Sequence, residues 1–121
     1  MDKFSSPVLE GNSLDLQIEA LLRRLQIDGT LDGMHFLIHA IHTAVIDPTT
    51  PGRITKSIYI DTATHFSIDH RCVEHSMRTA IKISWERGGR QELDRIAGYH
   101  LVKRPTNSQF IDIVSAYIRH N

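Results

Sequence analysis

Arg71, His75, Arg78 and Lys82 stand at i, i+4, i+7 and i+11, with Glu74 beside them. On an α-helix that spacing lines up four cationic or titratable side chains along one stripe. The chemistry such a stripe offers is recognition of duplex DNA. Arginine can donate in pairs to a guanine edge, glutamate can accept from a cytosine amino group, and lysine or arginine can hold phosphates. A charged helix face is as commonly a plain solvated surface, so the surrounding elements must supply the context. Arg71, Glu74 and His75 are the candidates for sequence preference, and Lys56, Arg78 and Lys82 for phosphate contacts. An imidazole on that face would hold phosphate or guanine better when protonated, which predicts tighter binding as pH falls from ~7.5 to ~6.

A second set of side chains raises metal chemistry. His35, His39 and His42 fall within about 60° of one another at 100° per helical residue, and three imidazoles on one face invite a zinc reading. Against it, the HExxH signature is absent, no cysteine or carboxylate joins the stripe, and the face lies opposite the apolar side of its helix. The stripe reads as a solvated histidine face, a weak metal candidate, and no cofactor is expected. Nothing resembles a nucleophile–base–orienter set, a phosphate-cradling glycine loop or paired catalytic carboxylates. An enzyme is not expected.

The stretch that must position the basic stripe is Arg53–Gly88. It reads as two helices, ITKSIYIDTATHF and a longer one from about His70 to Arg87, joined by Ser67-Ile68-Asp69. A short helix, a tight turn and a second helix form the outline of a helix-turn-helix. Ala63 supplies the small residue where the two helices cross, Val73 buries against it ten residues later, and Phe66 and Ile68 bracket the turn. Ser67 or Asp69 can cap the second helix, whose inner side is Val73, Met77, Ala80, Ile81 and Ser84.

The remaining elements are also helical. Residues 1–11, with Pro7 and Gly11, read as a flexible tail, and residues 12–121 as one domain. A helix starting at Asn12 or Ser13 carries Leu14, Ile18, Leu21, Leu22 and Leu25 on one stripe and ends at Gly29. A second, about Leu31–Ile46, buries Leu37, Ala40, Ile41 and Ala44 and stops before Asp47-Pro48. A short helix at about Gln91–Ala97 ends at Gly98. The last helix opens at a capping box formed by Thr106 and Gln109. Its apolar face, Phe110, Ile111, Val114, Tyr117 and Ile118, either docks on the core or pairs with another subunit, as a homodimer or a heterodimer. The expected fold is all-α, six helices around a helix-turn-helix.

Composition fits this picture. The chain has 121 residues, 40 % apolar and 23 % charged, enough for one core without metal or disulfides. A lone cysteine, Cys72, no secretory h-region and no membrane-length apolar run point to the cytoplasm and away from a membrane partner. Net charge is zero, but residues 1–52 hold three basic against seven acidic side chains, and residues 53–104 hold ten against six. The middle of the chain therefore presents a basic field to an anionic partner.

Several blocks carry a more specific resemblance. They are Gly33, Leu37 and Ala40-Ile41; Ile54-Thr55-Lys56; Ala63 and Phe66; Val73-Glu74, Arg78 and Ala80-Ile81; WERG at Trp85–Gly88; Gly98-Tyr99; and PTNSQFI at Pro105–Ile111. In this order and spacing, over about residues 14–118, the chain resembles the C-terminal DNA-binding effector domain of the master response regulator of endospore formation. The resemblance implies a six-helix fold, DNA binding through the helix after the turn, transcription control, contact with RNA polymerase, and contact between DNA-bound neighbours through the last helix. Two departures stand out. No receiver domain precedes the effector segment, so switching by phosphorylation is not expected. And the family pattern RVERAIR is CVEHSMR here, from Cys72 to Arg78. Cys72 and His75 replace two arginines expected to read bases, and Arg71, one residue away, is turned by about 100°. Each lost arginine–guanine pair removes ~1–3 kcal/mol of discrimination. The leading expectation is a DNA-binding regulator with a changed target. The alternative is an interaction protein that keeps the fold and modulates a full-length sporulation regulator or RNA polymerase without strong base reading.

Overall fold

The computed structural model describes residues 6–47 and 56–120. In chain order it contains α1 (Ser6–Arg24), α2 (Asp32–Ile46), α3 (Lys56–Phe66) and α4 (His70–Ser84). A π-helical turn (Trp85–Gly89), α5 (Arg90–Ala97) and α6 (Asn107–Arg119) complete it. Among the described residues there is no strand, so the all-α expectation holds. The count is slightly different from six among the described residues: α4 and α5 meet through the π turn across a kink, and taken together they leave five helical bodies. Gly88 makes the kink, at φ 92°, a non-helical backbone conformation that costs glycine little.

Two helix ends differ from the sequence expectation. The first helix begins at Ser6 rather than Asn12 or Ser13, taking residues 6–11 out of the expected tail. Pro7 lies in the first turn, where no intrahelical N–H bond is lost. The same helix ends before Gly29: Gln26 turns left-handed (φ 69°), and Ile27 N–H donates to the Leu22 carbonyl at 2.9 Å. Ile27 is fully buried. Its burial, not a glycine, decides where α1 stops.

α2 lies at the centre, in contact with α1, α3, α4 and α6. Its apolar stripe buries Met34, Leu37, Ala40, Ile41 and Ala44 against Leu22 and Leu25 of the α1 region, Val73 and Met77 of α4, and Phe110, Ile111 and Val114 of α6. All of these belong to one continuous core. Gly33 permits the close approach of α2 to α4: a Cβ built there would meet the Ser76 carbonyl oxygen at 2.3 Å. Two polar clasps reinforce the assembly. The buried Ser84 hydroxyl donates to the Leu25 carbonyl at 2.5 Å, and the Arg119 guanidinium donates to the Ala44 carbonyl at 2.9 Å.

The last helix behaves as a core element. Phe110, Ile111 and Val114 are fully buried, and Tyr117 and Ile118 pack against the same core. Of the two alternatives for this face, docking on the core is the one the structure shows. The reason is that α6 packs along α2, one of the most extensive helix pairings in the fold.

Candidate functional site

The turn that aims α4 is built from local hydrogen bonds and two buried side chains. Ser67 adopts a left-handed conformation (φ 58°), and Ile68 N–H returns to the Ala63 carbonyl at 2.9 Å. Ala63 and Val73 are buried where the two helices cross, as the spacing predicts. Phe66 packs edge-on to Phe36 of α2, centroids 5.2 Å apart. Of the two candidate caps, Asp69 acts: its side chain accepts from Arg71 N–H at 2.7 Å. Val73, Met77, Ala80, Ile81 and Ser84 all face inward, which turns Arg71, His75, Arg78 and Lys82 to solvent.

The stripe is thus assembled, but its strongest cations are already paired. Arg71, with a side chain 80 % exposed, folds back on the cap: Nη2 donates to Asp69 Oδ2 at 3.0 Å and Nε to Oδ1 at 3.3 Å. The side-chain and backbone hydrogen bonds from Arg71 hold the Asp69 carboxyl down to about 2, and the same pairing raises the Arg71 guanidinium. One turn on, Arg78 Nη2 donates to Glu74 Oε2 at 3.1 Å. The backbone of Lys56 opens α3. Cys72 is an exposed free thiol on α4.

A groove of about 320 Å³ runs between α3, α4 and the start of α6, lined by Tyr59, Glu74, Arg78, Arg104, Thr106 and Asn107 among others. The capping box is present in full: Thr106 accepts from Gln109 N–H, and the Gln109 side chain accepts from Thr106 N–H. Asn107, mostly buried, donates from Nδ2 to the Glu74 carbonyl at 3.1 Å, so the start of α6 is tied to the recognition helix. Sequence reasoning placed neither Arg104 nor Asn107 at this surface. The visible signal was a basic residue directly ahead of a capping box, and only the packing of α6 against α4 gives it meaning.

The histidine stripe is only in part the solvated face expected: His35 is exposed, and the other two are not. His39 and His42 are partly buried, each facing a carboxylate from another helix: Asp61 at 3.2 Å and Asp15 at 2.8 Å. His39 also stacks on His65, centroids 4.3 Å apart. The cause is the approach of α1 and α3 to either side of α2. His35, His39, His42, His65 and Asp15 line one open pocket, but among the described residues no group of three or more His, Cys, Asp or Glu could hold a metal ion.

Fold and site together define an all-α helix-turn-helix domain whose second helix carries an outward basic stripe. A family model described as "Sporulation initiation factor Spo0A C terminal" matches residues 18–118, and the chain belongs to that family. It is a family of DNA-binding regulatory domains and not of enzymes. No helix among the described residues is long and apolar enough to cross a membrane.

Proposed function

We propose that this chain is a DNA-binding transcription regulator that lays α4 in the major groove of duplex DNA. The observation that carries the reading is the outward stripe of α4, capped, fixed by the turn and buttressed from behind by α2, in a chain of a DNA-binding family. Glu74 and His75 address base edges, and Arg71, once it leaves Asp69, joins them on a preferred site and takes a phosphate on any other sequence. Lys56, Arg78 and Lys82 take phosphates, and Arg104, on the same groove as Arg78, extends the phosphate track toward α6. Binding of this kind is salt-dependent, because each neutralised phosphate releases a counterion. Selection from a random duplex library, followed by anisotropy titration at low salt, tests the proposal. Failure to bind any duplex sinks it.

A second reading is favoured by one feature: the two arginines of the stripe are each paired with a nearby carboxylate, Arg71 with the cap Asp69 and Arg78 with Glu74 one turn back, and Cys72 and His75 stand where base-reading arginines were expected. On this reading the chain keeps the fold but modulates a full-length sporulation regulator or RNA polymerase by protein contact. Co-purification with the full-length regulator, unchanged by Arg78→Ala, supports it. A lone monomer that binds DNA does not.

A further inference from the structure

The cap of α4 carries a charge that capping does not require. At an N-cap, asparagine and serine serve about as well as aspartate, so the neutral part of the cap is the Asp69 oxygen that accepts Arg71 N–H at 2.7 Å. The remaining capacity of the carboxylate goes to the Arg71 guanidinium, through Nη2 at 3.0 Å and Nε at 3.3 Å. The two residues are separated by one position, so the closed arrangement costs little chain entropy, and the positive end of α4 favours the anion beside it. A phosphate approaching α4 therefore meets a carboxylate and an arginine whose charge is already answered.

We infer that Asp69 is an affinity-determining residue of this helix-turn-helix, a built-in competitor that withholds Arg71 from DNA phosphates while capping α4. The inference rests on the DNA-binding reading above and adds to it a division of labour within one side chain: one oxygen caps, and the charge restrains. DNA engages Arg71 by exchanging one anion for another, and the restraint acts on phosphate-driven, sequence-independent binding in particular, since that term is set by available cations. Glu74 restrains Arg78 in the same manner at 3.1 Å, but Glu74 also faces base edges in the proposed complex. Asp69 is the residue at which restraint can be separated from reading.

The test is a double-mutant cycle in the full 121-residue chain, measured by fluorescence anisotropy on mixed-sequence duplex DNA across a salt series. Asp69→Asn keeps the cap and removes the charge. One additional phosphate neutralised by Arg71 steepens the slope of log K against log salt by about 0.9, which corresponds to roughly eightfold tighter binding at about 0.1 M salt. Arg71→Gln is expected to lower affinity less in the wild-type background than in the Asp69→Asn background, where it removes most of the improvement. Asp69→Ser, a second neutral cap, should repeat the Asp69→Asn result, and thermal unfolding checks that each variant is folded. Wild-type binding with no improvement in either neutral-cap variant overturns the restraint while leaving DNA binding intact. An improvement that survives Arg71→Gln in full overturns the pairing with Arg71. No binding by wild type with binding by Asp69→Asn is the strongest form of the restraint, and no binding by any variant overturns the DNA reading and the restraint with it.

Discussion

Gly33→Ala puts a single methyl between the helix at the centre of the core and the back of the helix that carries the basic stripe. The new Cβ would lie 2.3 Å from the Ser76 carbonyl oxygen, 2.9 Å from its carbon and 2.9 Å from the Ala80 Cβ. An ordinary contact begins near 3.4 Å, so α2 and α4 must separate by about 1 Å. The obstacle is helix backbone, which cannot step aside as a long side chain would. Two effects compete. Alanine is the better helix former by up to ~1 kcal/mol, less in a first turn, while overpacking a closed core costs ~1–3 kcal/mol. The steric term wins, leaving a net loss of about 1–2 kcal/mol. At roughly 2.1 cal/mol/K of unfolding entropy per residue, each kcal/mol moves Tm by about 4 °C in a chain this size, so the expected fall is about 4–8 °C. Urea and thermal unfolding measure it. Gly29→Ala is the control: nothing lies within 4 Å of its added Cβ, and stability should hold or rise by up to ~1 kcal/mol. Because the displaced carbonyl belongs to the residue after His75, DNA binding should weaken in Gly33→Ala as well. A Gly33→Ala protein as stable as wild type would refute the close-approach argument.

Three further outcomes are expected. Arg78→Ala should weaken binding to all duplex sequences about equally and make the salt slope shallower by about one, as removal of a phosphate-holding cation does; a change confined to one sequence would instead assign Arg78 to base reading. Affinity for DNA should rise between pH ~7.5 and ~6, where histidine gains its charge, and the rise should shrink in His75→Ala. An unaltered pH profile in that variant would move the effect to another group. Thr106→Ala removes the hydroxyl that accepts from Gln109 N–H in the α6 capping box and should cost ~0.5–2 kcal/mol; unchanged urea unfolding would show that this cap does not stabilise that corner.

Much of the fold was legible because it is written in short-range pattern. Leu37, Ala40, Ile41 and Ala44 repeat at helical spacing and are all buried, and the Thr106–Gln109 box sits three residues apart as capping requires. The errors lie where a distant contact outweighs a local signal. Gly29 looked like a terminator, but the fully buried Ile27 turned the chain earlier. Where the sequence left two alternatives for Phe110, Ile111 and Val114, docking on the core or pairing with another subunit, contact with α2 realises the first. For the candidate site, the outward placement of Arg71, His75, Arg78 and Lys82 follows from periodicity alone. Their pairing state does not.

By itself, then, the order of residues determined that this is a helical domain with a tight turn before a basic-faced helix, and which side of that helix is apolar. Periodicity, caps and turn residues act within a few positions of one another, so one dimension contains them. Only the tertiary structure decided what those side chains meet. It set His39 against Asp61 and His65, His42 against Asp15, and Asn107 against the Glu74 carbonyl. Even the Asp69–Arg71 pair, two residues apart, depended on which residue of the turn became the cap. That choice is made in three dimensions, where Ser67 turns left-handed and leaves Asp69 extended at the start of α4.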